Sequence, residues 1–268
     1  MSKKPTPDKV PLNELLVKQG HFADEAQAER AILAGVVFSD GTALVQPRLL
    51  VAVDVPLTIE PKKRFVSRGG EKLAAALEAF ELSAEGLRCI DIGASTGGFT
   101  DCLLQHGAAK VCAVDVGYGQ FAWELRENNR VRLFERTNIK KVMPAELGAP
   151  FDLAVIDVSF TRLSRLIETL EALLGQKAYC IALIKPQFEL PKSLVIGGVV
   201  REKAHHAQAI EMVLAALAPS TLAARGLIFS PIKGQKGNIE YILLIQKDAN
   251  DATISTKEVV EAAHAQLT

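Results

Sequence analysis

From about residue 72 to residue 247, short apolar runs and helical stretches take turns along the chain, and that alternation constrains the fold more than any other feature. "RCIDIG", "KVCAVDVG", "VRLFERT", "DLAVIDVSF" and "AYCIALIKP" are near-continuous apolar runs of strand length. "KLAAALEAFEL", "GGFTDCLLQHG", "FAWELREN", "LSRLIETLEALL" and "KAHHAQAIEMVLAALAPS" carry helical spacing. Strands buried on both faces and joined by helical crossovers predict a mostly parallel sheet covered on both sides. The last two runs, "GLIFSPI" and "IEYILLIQK", have only a turn between them, so the last strand is expected to run antiparallel.

A different pattern precedes this region. Residues 1 to 8 are a polar, proline-bearing tail. "PLNELLVKQG" and "ADEAQAERAILAG" read as two helices, closed by Gly20 and Gly35. Short alternating runs follow, split by Asp40-Gly41 and Pro47. A small α+β module is therefore expected over residues 9–61. Residues 62–71 read as a basic linker with Lys62, Lys63, Arg64, Arg68 and Lys72 near a single acid, Glu71. This strip is either a solvated linker or a phosphate-contacting surface. The main domain is placed at 72–250, with a C-terminal tail or helix after it.

Several function classes are disfavoured by composition. Lysine plus arginine equals aspartate plus glutamate at 31 each, so a polyanion would have to bind a local patch. No run approaches the ~18 apolar residues of a membrane span. The N-terminal "MSKKPTPDK" has no apolar stretch behind its lysines and does not resemble a signal peptide. Cys89, Cys102, Cys112 and Cys180 form no C-x-x-C pair and are read as reduced core residues of a cytoplasmic protein. No His/Cys cluster has metal-ligand spacing, and His205 and His206 are expected on a solvated helix start.

The chemistry is concentrated at strand ends. In open α/β sheets ligands sit beyond the C-terminal ends of the strands. After "CIDI" comes Gly93-Ala94-Ser95-Thr96-Gly97-Gly98, with Ser95 where a dinucleotide fingerprint needs glycine. Phe99-Thr100 stands where a phosphate loop needs lysine and a hydroxyl residue. Asp115 ends the next strand and can accept two hydrogen bonds from a ribose diol. An acidic turn with these spacings suits S-adenosylmethionine better than NAD. The plain alternative is a glycine turn that serves strand–helix packing alone.

Four charged residues lie where they could meet near such a ligand. Asp157 ends "AVIDVSF", Lys185 ends "IALIKP", Glu240 begins the last strand and Lys72 begins the first helix. A ribose 2′-hydroxyl holds its proton tightly, and a desolvated or crowded lysine can serve as its base. Singly, each of the four could be an ordinary surface ion-pair partner.

Together, "SRGGEKL", "DIGASTGGFTDCLLQ", "VDVGYGQFAWELR", "ERTNIK", "VIDVSF", "IKPQFE", "GGVVR" and "KGNIEYIL" resemble the TlyA-type (hemolysin A-like) ribosomal RNA methyltransferase family. The resemblance spans nearly the whole chain. It implies a small N-terminal S4-like RNA-binding domain before an FtsJ-like (RrmJ-like) domain. It also implies the α/β Rossmann-like sheet of S-adenosylmethionine-dependent methyltransferases and 2′-O-methylation of a cytidine in ribosomal RNA. Its catalytic Lys-Asp-Lys-Glu tetrad falls on Lys72, Asp157, Lys185 and Glu240. Its cofactor motif falls on Gly93 through Phe99 after Asp91, with Asp115 on the ribose and Asn138 nearby. The expected partner is ribosomal RNA or a ribosomal subunit, with no membrane and no obligatory protein partner.

The N-terminal module departs from the family pattern. Over residues 1–62 it carries seven basic residues against eight acidic ones. Phosphate binding is therefore expected to fall more on Lys62, Lys63, Arg64 and Arg68, with Lys140, Lys141, Lys233 and Lys236. Two other classes stay open: a non-catalytic RNA-binding protein on a methyltransferase scaffold, and a membrane-active hemolysin.

Overall fold

The computed structural model describes residues 8–60 and 64–267. Lys62 and Lys63 lie outside the described residues. The chain divides into two compact units after Arg64.

The first unit contains β1 (Lys9–Pro11), α1 (Leu12–Lys18), α2 (Glu25–Leu33), β2 (Val37–Ser39), β3 (Thr42–Ala43), β4 (Leu50–Ala52) and β5 (Thr58–Ile59). Asp24 caps α2 by accepting a bond from the Gln27 N–H, which satisfies a donor that a helix start leaves open. Leu12, Leu16, Ala28, Ile32 and Val37 form its core. The strands make a pair, β1 with β4, and a three-stranded sheet, β3-β2-β5.

The second unit begins earlier than the sequence pattern suggests. Phe65 is buried with Leu73 and Leu77 in the core, and α3 (Gly69–Ala79) starts three residues before Lys72. Residues 65–71 are therefore not linker, because burying the Phe65 ring ties them to the second unit. There follow β6 (Arg88–Ile92), α4 (Gly98–Gln105), β7 (Lys110–Val114), α5 (Trp123–Arg126), β8 (Val131–Phe134), α6 (Pro144–Leu147) and β9 (Phe151–Ile156). Next come α7 (Ile167–Leu173), β10 (Leu174–Ile184), α8 (Pro186–Glu189), α9 (Lys203–Leu217), β11 (Leu222–Phe229), β12 (Tyr241–Lys247) and α10 (Thr256–Leu267).

Seven strands form one sheet in the order β11-β12-β10-β9-β6-β7-β8. As expected, β12 is antiparallel to its neighbours, and it lies between β10 and β11. Ile90, Cys112 and Ala154 face one layer with α7 and α9, whereas Cys89, Val111 and Leu153 face the other with α3 and α4. All four cysteines are buried thiols outside any disulfide, and burial pushes the thiols of Cys89 and Cys112 up to about 12.

His206 corrects the solvated-start reading. It continues the buried stripe of Ala209, Ile210, Val213 and Leu217 at helical spacing and is fully buried. Its Nε2 donates to the Val200 carbonyl at 3.0 Å, which leaves Nδ1 to accept from the Tyr241 hydroxyl, also at 3.0 Å. Burial lowers its pKa, consistent with a neutral ring tying α9 to β12.

Candidate active site

Topology explains why distant residues share a rim. Parallel β9 and β10 end together, so Asp157 and Lys185 emerge on the same side. Because β12 runs the opposite way, its start lies at that rim too. Tyr241 pairs with Ile184, and Glu240 precedes it as Lys185 follows its partner. The first turns of α3 bring Lys72 to the same place.

The four side chains form two ion pairs. Lys72 Nζ lies 2.5 Å from Glu240 Oε2, and Lys185 Nζ lies 2.5 Å from Asp157 Oδ1. Lys185 also donates to Ser159 Oγ at 3.3 Å. Lys72, Lys185 and Glu240 are buried, and Asp157 is half-buried. Dehydrating two such pairs costs several kcal/mol per ion and repays only part of it, so they are poor devices for stability alone. Paired charges at the wall of a cleft suit proton handling better.

These residues line a cavity of about 250 Å³ together with Gly93, Ser95 and Phe99 of the glycine turn. A neighbouring cavity of about 370 Å³ holds Asp115 and Asn138. Gly93, Ser95, Asp157 and Ser159 line both. The Asp115 carboxylate is held by two backbone donors, the Ser95 N–H at 2.8 Å and the Gly117 N–H at 2.6 Å. Asn138 Oδ1 accepts from the Lys140 N–H at 3.0 Å.

Two glycines are required by close approach. Gly93 has φ +88°, and a Cβ there would lie 2.7 Å from the Asp157 carbonyl oxygen, so the turn and the end of β9 could not meet. At Gly234 a Cβ would lie 1.9 Å from Glu240 Oε1, inside the space the carboxylate needs to reach Lys72.

The expected cofactor residues divide into groups. Ala94, Thr96, Gly98 and Phe99 line the first cavity, and Asp115 and Asn138 line the second. Asp91 and Gly97 are not among the residues lining either. Asp91 sits behind the turn, fully buried, and accepts from Thr100 Oγ1 at 2.7 Å, which clamps β6 to α4. Burial pushes its carboxyl up to about 7, and the nearby carboxylates of Asp157 and Asp115 add to the rise. Gly97 caps α4 and packs against Leu125.

Of the expected basic residues, Arg68 lines the first cavity and Lys140 the second. Lys141, Lys233 and Lys236 are exposed, the last two on the turn that carries Gly234. Arg64 is exposed and belongs to the first unit. Ser159, Gln187 and Gly234 line the first cavity without having been singled out. Each lies within three residues of a tetrad member or in the glycine-bearing turn before Glu240, which was the available signal.

A doubly wound sheet of this strand order, with an acidic glycine turn on β6 and a carboxylate ending β7, is a Rossmann-like methyltransferase fold. The pattern of the FtsJ-like methyltransferases matches residues 65–247. The chain is 40% identical to the 16S/23S rRNA (cytidine-2′-O)-methyltransferase TlyA of Mycobacterium tuberculosis, over 93% of this chain and 94% of that one. It is 35% identical to Hemolysin A of Brachyspira hyodysenteriae, over 86% of this chain and 97% of that one. A solved structure from Streptococcus thermophilus, described as a candidate hemolysin, superposes with a TM-score of 0.75 at 39% identity, covering 97% of this chain and 98% of that one. The chain belongs to the FtsJ-like methyltransferase family and is an enzyme of methyl transfer.

Proposed function

We propose that the enzyme methylates ribosomal RNA on a ribose 2′-hydroxyl, that of a cytidine, using S-adenosylmethionine. The observation that carries this reading is the meeting of two lysine–carboxylate pairs in one cavity against the glycine turn. The names of the TlyA relatives support the RNA substrate and the 2′-oxygen.

The residues present fit the cofactor. Asp115 offers a carboxylate already oriented by backbone donors, with free lone pairs for a ribose diol. Gly93 and Ser95 border both cavities, so a ligand seated on Asp115 would reach toward the paired lysines. When bound, S-adenosylmethionine supplies a methyl group already activated on a sulfonium.

The protein's part is alignment and proton removal. Lys185 takes the 2′-hydroxyl proton, while Asp157 and Ser159 hold its Nζ in place. Lys72 and Glu240, lining the same cavity, orient the ribose. Arg68, Lys140, Lys141, Lys233 and Lys236 meet phosphates around the two cavities, and Lys62, Lys63 and Arg64 bind phosphates of the same RNA. The first unit acts as an S4-like RNA-binding domain. The enzyme works in the cytoplasm, on free ribosomal RNA or on a subunit.

Among the described residues no helix is long and apolar enough to cross a membrane. The hemolysin names of some relatives would gain force here only from leakage of liposomes by the purified protein. The decisive experiment maps 2′-O-methyl marks on ribosomal RNA from cells with and without the gene, alongside methyl transfer by purified enzyme to ribosomal subunits. The expected result is a mark that disappears with the gene and is restored by the enzyme. Unchanged marks and no transfer would sink the reading.

A further inference from the structure

The opposite rim of the seven-stranded sheet, where the parallel strands begin, carries a cavity of about 350 Å³. Its wall holds four cations, Arg88, Lys110, Arg130 and Arg132, and no carboxylate. Cys112, Leu147 and Phe151, on the same face of the sheet, give it an apolar floor. Arg88 pairs with Lys110 across β6 and β7, and Arg132 pairs with Cys112 across β7 and β8. Side chains alternate along a strand, so Arg88, Lys110 and Arg132 lie on one face of three neighbouring strands.

Two of the cations have a use within the fold. Arg88 donates to the Gly148 carbonyl, and Arg130 donates to the carbonyls of Leu104 and Ala108. These bonds tie the two side chains to the end of α6 and to the turn that closes α4. The other two have no such use. Lys110 makes no hydrogen bond or ion pair among the described residues, and Arg132 has only the Phe134 ring beneath its guanidinium, 4.7 Å from the centroid. The nearby acid, Asp152, accepts from the Arg88 N–H at 2.8 Å and does not line the cavity. Four like charges gathered round a concave apolar floor, in a chain with no net charge, raise the local affinity for an anion. The floor suits a flat ring rather than a bare phosphate.

We propose that this cavity binds a nucleotide, with its base on the apolar floor and its phosphate on Lys110 and Arg132. The nucleotide comes either free or as part of an RNA chain. The strands between the rims are five residues long in β6 and β7, so the site lies roughly 17 Å from the candidate active site at about 3.3 Å per residue. An RNA occupant would give the substrate a second grip on the far side of the enzyme. The proposal stands independently of the catalytic assignment.

The test uses the full-length protein with the cofactor cavity blocked by saturating S-adenosylhomocysteine. Binding of a fluorescent guanosine monophosphate and of a labelled single-stranded RNA is measured for the wild type and for Lys110→Glu/Arg132→Glu. At least a tenfold loss for one or both probes is expected. A loss for the mononucleotide alone assigns a free nucleotide, and any loss for RNA assigns an RNA chain. In the RNA case the log–log salt slope also shallows by about 0.7, for the one phosphate released. Equal affinity of both proteins for both probes overturns the proposal. Both residues are exposed, and unchanged S-adenosylhomocysteine binding checks the fold. If the reversal does not fold, Lys110→Met/Arg132→Gln gives the same comparison with a smaller loss, about threefold.

Discussion

The two cavities on the catalytic rim hold their charges in opposite ways. In the first, two lysines and two carboxylates are paired with each other at 2.5 Å, each with a mobile side-chain partner. In the second, the Asp115 carboxylate is fixed by backbone N–H groups that cannot move or exchange a proton with it. A pair of side chains can change its protonation and geometry during a reaction, whereas a carboxylate pinned by backbone is a rigid acceptor. The first arrangement fits chemistry and the second fits binding, and substitutions should separate them.

The largest expected effect is at Lys185. Lys185→Ala should lower kcat by about 10³-fold, within the range of a lost general base, with the affinities for S-adenosylmethionine and RNA kept. Wild-type turnover by the alanine variant would remove chemistry from this cavity.

Gly234→Ala comes next. The added Cβ would occupy the place of the Glu240 carboxylate, so kcat should fall about 10²-fold, as for a displacement near 1 Å, while the cofactor Kd holds. A rise in cofactor Kd with unchanged kcat would show that the turn serves binding instead.

In the second cavity the expectation reverses. Asp115→Ala should weaken S-adenosylmethionine about tenfold to a hundredfold, the worth of hydrogen bonds to a charged group, and leave kcat nearly unchanged at saturation. Calorimetric titration beside steady-state kinetics reads both. A change in kcat alone would break the contrast between the cavities.

Asp91, behind both cavities, should affect stability alone. Its carboxyl is raised from an ordinary 3.8 to about 7, so the folded protein keeps a proton that the unfolded chain has released between those values. Its contribution is whole below pH 4 and is lost as pH rises toward and through 7. Asp91→Asn should remove that decline, visible as a few degrees of Tm gained near pH 8. Identical Tm–pH profiles for the two proteins would contradict it.

Much of the architecture was legible because buried parallel strands and their crossovers have distinct periods. The antiparallel last strand followed from the shortness of the turn before it. The tetrad positions were legible because strand ends converge on one rim whatever the loops do. The start of the second unit was not, since a basic strip around Phe65 looks like linker until the ring is seen in a core. His206 was misread because its polar type outweighed its place in the buried stripe of α9. Asp91, which the resemblance places with the cofactor motif, lies one step from the rim, fully buried and bonded to Thr100 of the neighbouring helix.

The sequence by itself determined the class of sheet, the rim that gathers the two lysines and two carboxylates and the residue types brought to it, because periodicity and strand direction are local properties. Only the tertiary structure decided which lysine pairs with which acid, that Gly234 must leave room for Glu240, and that Lys110 and Arg132 are left without polar partners among the described residues on the far rim. Those facts depend on distances of a few ångströms between residues up to 168 positions apart. Nothing in a linear pattern sets such distances. They are fixed when the two faces of the sheet pack and the loops close over its ends.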